Sequence, residues 1–222
     1  MEKNDAHKPL MLIRYSELDL TLKTLYQLYC FEPNNEIISL LQESELLSLW
    51  QKLTQEVQKT LQSDLDQEDA IDQLKADHLA LFIGIGMPLS PPWGSVYLNE
   101  ENLLLQSSTY EWMDFLKHQN LRFVLEENQP QDNIGLILSA VATLYERYHQ
   151  AKVSNGDVDS ALRALRIALS EHLSPWITRF CQLLEQHAET SLYRLVSDVT
   201  AVVIDQLMSE VQATIEEREL YY

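Results

Sequence analysis

Two segments of the chain carry residue types able to bind a partner. The run Ser90-Pro91-Pro92-Trp93-Gly94-Ser95-Val96-Tyr97-Leu98 sets a tryptophan between a proline pair and a glycine. Proline breaks helix and glycine frees the backbone, so this indole cannot join a periodic helical stripe. It is left either to plug the loop against the core or to offer an apolar and cation-binding face. A second break follows at Asn128-Gln129-Pro130-Gln131-Asp132-Asn133-Ile134-Gly135. Asp132 places a carboxylate there, with Glu126 and Glu127 just upstream to extend an acidic lip. A carboxylate in such a position can accept charge-assisted hydrogen bonds from a cation or serve as a helix-capping group. Tyr97 and Phe123 are further aromatic candidates. Four of the five glycines and four of the seven prolines fall between residues 84 and 135. Irregular structure is concentrated there, and loops on a regular scaffold are where recognition tends to sit.

Catalytic patterns are missing from the sequence. The six histidines form neither an HExxH motif nor a Cys/His cluster, so no metal site is expected. Gly84-Ile85-Gly86 lacks a third glycine, because position 89 is leucine, which speaks against a dinucleotide loop. Neither a Walker motif nor a serine nucleophile elbow is present. The acidic stretch from Asp64 to Asp72 fails as a calcium loop: Asp69 stands where glycine is needed and Lys75 where the final glutamate is needed. His78, on an apolar stripe, reads as a core histidine. The expectation is a non-enzymatic binding protein without a cofactor.

Charge narrows the partners. The 222 residues hold 34 acidic against 16 basic groups, a net charge of -18. Phosphate backbones require basic surface, so nucleic acid is not expected as a partner. Anionic membranes are repelled for the same reason. A basic peptide or protein would instead be attracted. Cys30 and Cys181 lie far apart in apolar helical contexts, and read as free thiols of a cytosolic protein. The first residues lack an apolar signal core, and no run of about 18 apolar residues appears, so no stable membrane insertion is expected.

The elements that must position these residues read as helices. Leu18, Leu22, Leu25 and Tyr29 follow Ser16, a candidate N-cap, at helical spacing, and Pro33 ends that helix. Leu46, Trp50, Leu53, Val57 and Leu61 form a second stripe. Ile71, Leu74, His78, Leu81 and Phe82 form a third, which stops at Gly84. A long connection over 84–107 leads to a helix with Ser108 and Glu111 as a candidate capping box. Residues 121–125 suit a short strand or a buried linker. Pro130 suits the first turn of the next helix, with Ile134, Ile137, Val141, Leu144 and Tyr148 on its buried face. Ser154-Asn155-Gly156 is a turn, Ser174-Pro175 a candidate helix start, and Thr190 begins the last helix. With no βαβ alternation and no repeat period, the expected fold is all-α: one compact multi-helix domain over 1–222, with an irregular binding segment at about 84–135.

Beyond these patterns, residues 78–210 resemble the TorD/DmsD/NarJ family of redox enzyme maturation chaperones, and within it the DmsD-like branch. The resemblance rests on Leu81-Phe82-Ile83-Gly84, the Ser90–Leu98 run, the Asn128–Gly135 break and His172-Leu173-Ser174-Pro175-Trp176-Ile177-Thr178-Arg179-Phe180. It implies an all-α fold and a cytoplasmic chaperone, not an enzyme. It also implies binding to the twin-arginine signal peptide of a molybdopterin-containing oxidoreductase precursor, delaying export until cofactor insertion and folding. The Tat translocase is a second candidate partner. The implied peptide-binding residues are Trp93, Gly94, Ser95, Tyr97, Phe123, Glu126, Glu127, Gln129, Pro130, Asp132 and Asn133. The family's Glu-Pro-x-Asp-His signature reads Gln129-Pro130-Gln131-Asp132-Asn133 here, one charge and one titratable ring fewer. Asn99, Ala80 and Gly86 also replace an aspartate, an arginine and a tryptophan of DmsD-like sequences, so the site is less charged and less aromatic. In the implied mechanism, Asp132 accepts from a leader guanidinium and Trp93 supplies an apolar or cation–π face. Each has a structural alternative: Asp132 as a capping carboxylate and Trp93 as a loop plug. Trp176 reads foremost as a buried helix-start anchor. Alternative functions are a chaperone of a non-exported reductase subunit, a nucleotide-binding helical protein, and a structural helical adaptor.

Overall fold

The computed structural model describes residues 13–43, 45–54, 65–124 and 129–222. Their elements in chain order are α1 (Tyr15–Cys30), α2 (Asn35–Glu43), α3 (Leu46–Thr54), α4 (Ala70–His78), a first π segment (Leu79–Ile83), α5 (Gly94–Leu98), α6 (Ser107–His118), α7 (Ile134–Ser154), α8 (Val158–Ile167), a second π segment (Ala168–Leu173), α9 (Ser174–His187) and α10 (Ser191–Val211). Among the described residues there is no strand, and the fold is all-α as expected. The expected stripe beyond Thr54, at Val57 and Leu61, lies outside the described residues.

The periodic stripes become the core. Leu18, Leu22, Leu25 and Tyr29 of α1 are buried, and α1 packs along α7. Gly135 permits the closest part of that approach. A Cβ there would sit 2.5 Å from Cys30 Sγ and 3.1 Å from the Tyr26 carbonyl oxygen. Helix α10 lies against α9 and α3 and buries Leu192, Leu195, Val196, Val199, Val203 and Leu207. Several polar tips inside the core are paired, as burial favours. Trp50 Nε1 donates to Thr21 Oγ1 at 3.1 Å, and Tyr29 Oη shares a hydrogen bond with Thr200 Oγ1 at 2.8 Å. His78 is the core histidine that its stripe implied: it is buried, with Nδ1 3.0 Å from Tyr193 Oη. Burial is the largest influence on its ring and lowers its pKa. Cys30 and Cys181 are free, and burial raises both thiols to about 12, so both stay protonated and unreactive at neutral pH.

Several helix ends differ from the sequence expectation, each for a local reason. Ser16 lies inside the first turn of α1; Glu17 instead accepts from the Arg14 backbone N–H at 2.9 Å. Helix α6 begins at Ser107, one residue before the candidate capping serine, with Gln106 as N-cap. Helix α7 begins at Ile134, so Pro130 and Asp132 precede it rather than occupy its first turn. Ser174 is not an N-cap, because α8 continues through the second π segment into α9. Proline offers no N–H to the preceding turn. The π segment ends at Leu173, two residues before Pro175, and Ser174 Oγ turns back to the Ser170 carbonyl at 3.1 Å. Thr190 does begin α10, its side chain accepting from Tyr193 N. The Asp77 carboxylate secures this start, accepting from Thr190 N at 2.8 Å and Thr190 Oγ1 at 2.6 Å. Gly84, at φ +66, closes the first π segment, where a Cβ would meet the Pro88 backbone at 3.1 Å.

Candidate functional site

The two irregular segments lie side by side. Trp93 and Asn133 form an isolated antiparallel bridge. Ile134 N donates to the Pro92 carbonyl at 2.7 Å, and Gly94 N to the Asp132 carbonyl at 3.1 Å. Within the first segment, residues 94–98 coil into the short helix α5, with Trp93 at its N-cap position. Trp93 supplies no side-chain cap. Asp132 supplies it from the other segment: its Oδ2 accepts the Ser95 backbone N–H at 2.7 Å. Such a bond satisfies one of the donors that a helix start leaves open and places a negative charge at the positive end of the helix dipole. The capping alternative for Asp132 is therefore present, on α5 rather than on the helix that follows it in sequence.

Asn133 caps α7. Its Oδ1 accepts from Gly135 N at 2.8 Å and from the Cys30 thiol at 3.3 Å. Asn99 joins the end of α5 to the start of α6. Its Nδ2 donates to the Ser95 carbonyl and to Ser108 Oγ, both at 3.0 Å, while its Oδ1 accepts from Ser107 Oγ at 3.1 Å. A carboxylate at position 99 could not make the two donor contacts. Trp112 Nε1 fastens α6 to the second segment by donating to the Gln131 carbonyl at 2.9 Å.

The Ser90–Leu98 run and the Pro175-Trp176 run form one packing unit. A Cβ on Gly94 would lie 2.9 Å from Trp176 Nε1, so the glycine admits the indole. Tyr97 stacks on Trp176 with ring centroids 5.3 Å apart, and its hydroxyl donates to the Pro91 carbonyl at 2.8 Å. Ser90 Oγ donates to the Phe180 carbonyl at 3.3 Å. Trp176 Nε1 donates to the His172 carbonyl at 2.8 Å, which makes it the buried anchor its sequence context implied.

Burial divides the residues singled out from the sequence. Gly94, Ser95, Tyr97, Asp132 and Asn133 are buried. Asp132 is only 3% exposed, so its carboxylate faces inward. Trp93, Phe123, Gln129 and Pro130 are half-buried, with Trp93 and Phe123 packed against the core. The Trp93 indole N–H is buried and has no hydrogen-bond partner among the described residues. Glu126 and Glu127 lie outside the described residues. Within the connection 84–107, Ile85, Met87, Leu103, Leu104 and Leu105 leave apolar side chains exposed.

The sequence reading missed residues that the fold brings to this place from far along the chain. His172, in the second π segment, lies against both rings of the stacked Trp112–Phe115 pair, at centroid distances of 5.2 and 5.1 Å. Burial, then the nearby Arg218 charge, lowers its pKa to about 4. Glu111 pairs with Arg218 rather than capping α6. Glu171, His172 and Arg218 line, with Asp132 and Trp176, a cavity of about 10 Å³. Only the His172-Leu173-Ser174-Pro175-Trp176 run hinted at any of them. Among the described residues, no group of His, Cys, Asp and Glu side chains suits a metal ion. Among these residues, too, no helix is long and apolar enough to cross a membrane.

The family model for the nitrate reductase delta subunit matches residues 46–182. The Tat proofreading chaperone DmsD of Salmonella typhimurium is 29% identical over 132 residues, covering 59% of this chain and 58% of that protein. A probable Tat proofreading chaperone DmsD of Haemophilus influenzae is 25% identical over 198 residues, 83% of this chain and 86% of that protein. The chaperone protein TorD of Vibrio cholerae is 26% identical over 141 residues, 64% of this chain and 63% of that protein. The chain thus spans less than two thirds of the Salmonella and Vibrio relatives.

Proposed function

The chain belongs to the nitrate reductase delta subunit family and is similar to DmsD and TorD chaperones, and from that premise we propose that it is a cytoplasmic chaperone for a redox enzyme precursor. Its ligand is the twin-arginine signal peptide of a molybdopterin-containing oxidoreductase. By holding that peptide it delays export until cofactor insertion and folding are complete. It acts as a binding protein and not as an enzyme.

One observation carries this reading: the bridge between Trp93 and Asn133, which joins the family's two irregular motifs into one surface. In this reading the half-buried side chains of Trp93, Phe123, Gln129 and Pro130 are the ones offered to the peptide, a role their partial exposure supports. Trp93 offers an apolar and cation–π face, and the apolar part of a leader suits the exposed apolar side chains of the 84–107 connection. Gly94, Ser95, Tyr97, Asp132 and Asn133 hold that surface in shape from within. The net charge of -18 favours approach of a cationic peptide.

The test is capture of the tagged chain from its own host under gentle lysis, followed by sequencing of what co-purifies. The expected result is an unprocessed molybdoenzyme precursor retaining its Arg-Arg leader, released by excess synthetic leader. Retention of only leaderless proteins, unaffected by the leader, would overturn the reading.

A further inference from the structure

The extended segment 213–222 leaves α10 at Gln212 and runs over the place where the two motifs pack. Glu216 N donates to the Ser170 carbonyl at 3.1 Å, and Tyr221 N to the Tyr97 carbonyl at 2.9 Å. Arg179 Nε donates to the Tyr222 carbonyl at 3.0 Å. The Tyr222 ring stands edge-on to Tyr97, with centroids 5.7 Å apart. Ser170 belongs to the second π segment, and such segments release backbone groups from the regular helical ladder. The outward side chains Ile215, Leu220 and Tyr221 remain exposed. A segment fastened by few bonds over little buried apolar area opens at low cost relative to the core.

Arg218 is the charged anchor of this strap. Its Nη1 donates to Glu111 Oε2 at 2.9 Å and its Nε to Glu216 Oε1 at 3.3 Å. Its side chain is 24% exposed. Burial lowers its pKa, but the hydrogen bonds and charges of Glu111 and Glu216 more than offset this, so the guanidinium stays charged. Arg218 also lines the 10 Å³ cavity with Asp132 and Glu171. The Asp132 Oδ1 atom is buried and has no hydrogen-bond partner among the described residues. A buried carboxylate oxygen without a donor is costly. The cavity has room for about one water molecule, so no second guanidinium can enter while Arg218 is seated. Arg218-Glu219-Leu220-Tyr221-Tyr222 sets an arginine ahead of apolar and aromatic residues, the order of chemistry that a twin-arginine leader also has.

We propose that Glu111, Glu171 and Asp132 line an arginine subsite whose entrance Arg218 occupies in the resting chain through its bond to Glu111, leaving Asp132 Oδ1 for an incoming guanidinium, and that segment 213–222 is an internal competitor displaced by an arginine-bearing leader. This rests on the leader-binding reading above and adds where one arginine goes and what it must displace. A site filled internally for most of the time shows an apparent affinity lowered by the fraction of open chains. Releasing the competitor therefore tightens binding.

The experiment uses the full chain and two fluorescent synthetic peptides, each with a basic pair before an apolar stretch, one Arg-Arg and one Lys-Lys. Arg218→Ala and Tyr222→Ala are each expected to bind the Arg-Arg peptide more tightly by about threefold or more. The gain is expected to be smaller for Lys-Lys, which lacks the planar guanidinium fork. On the unaltered chain, hydrogen exchange of the Tyr221 amide should accelerate when the Arg-Arg peptide is saturating. That readout does not depend on either variant folding. Unchanged Tyr221 protection, unchanged or weaker affinity in folded variants, or an equal gain for both peptides would each overturn the subsite proposal while leaving leader binding in place. No binding of either peptide to any form would overturn both.

Discussion

The Asp132 carboxylate holds the Ser95 backbone N–H at 2.7 Å, joining two motifs that are 37 residues apart in the chain. The charged group most suited to meeting a leader arginine is thus also the cap of helix α5. Replacing it should affect stability before it affects recognition. Asp132→Ala leaves a buried donor unsatisfied and is expected to cost about 1–3 kcal/mol. Asp132→Asn keeps an acceptor and should cost less. Urea unfolding of the three proteins checks this, and equal midpoints for all three would contradict the capping role.

Gly135 sets the closest approach of α1 to α7. Gly135→Ala drives a methyl group into Cys30 Sγ, 2.5 Å away, and overpacking of this kind costs about 1–3 kcal/mol. Adding Cys30→Ala should recover part of the loss, since it removes the nearest obstructing atom. A double-mutant cycle in thermal unfolding should therefore show coupling. Simple additivity of the two changes would contradict the contact.

His172 gives the fold a dependence on acid. Burial first, then Arg218, lowers its pKa from the usual 6.5 to about 4. As pH falls, the unfolded ring takes up a proton before the folded one does. Its contribution is full above pH 6.5 and is lost as pH falls towards about 4. His78 and His149 shift in the same direction, with burial the largest cause in each. The Tm should therefore drop between pH 7 and pH 5, and His172→Gln should flatten only part of that drop. An identical pH profile in the variant would contradict the assignment.

Trp93 and Tyr97 should separate binding from folding. Tyr97 is fully buried and stacked on Trp176. Loss of a buried aromatic ring to alanine costs about 3–5 kcal/mol, so Tyr97→Ala should lower the Tm sharply. Trp93 is half-buried beside the second motif, and Trp93→Ala should weaken leader binding with a smaller change in Tm. The reverse pattern, an unstable Trp93 variant with unchanged leader affinity, would return Trp93 to a loop plug.

How far the sequence could reveal this follows from the range of the forces involved. Stripes such as Leu18, Leu22, Leu25 and Tyr29 encode helix and burial together, so the all-α fold was legible, as were the turn at Asn155 (φ 53) and the start at Thr190. Short-range patterns misplaced Ser16, Ser108, Pro130 and Ser174, because several residues within one turn of each helix start could serve as its boundary: Glu17 bonds back to Arg14, and Ser174 turns back to Ser170 instead of capping forward. Helix α5 was hidden within a run read as irregular, and its cap comes from Asp132, far away in sequence. Glu111 fitted a capping box locally, yet its carboxylate goes to Arg218, 107 residues away. The strap 213–222 has neither periodicity nor a motif, so only three-dimensional packing brings Tyr222 to Tyr97.

The central claim, recognition of a twin-arginine leader, is tested most directly by calorimetric titration of the full chain with an Arg-Arg leader peptide at low and high salt, repeated with its Lys-Lys counterpart. The account predicts saturable binding that weakens as salt screens the acidic surface and weakens again when lysines replace the bidentate guanidinium groups. Absence of binding, or an affinity that is the same for both peptides and at both salt concentrations, would contradict it.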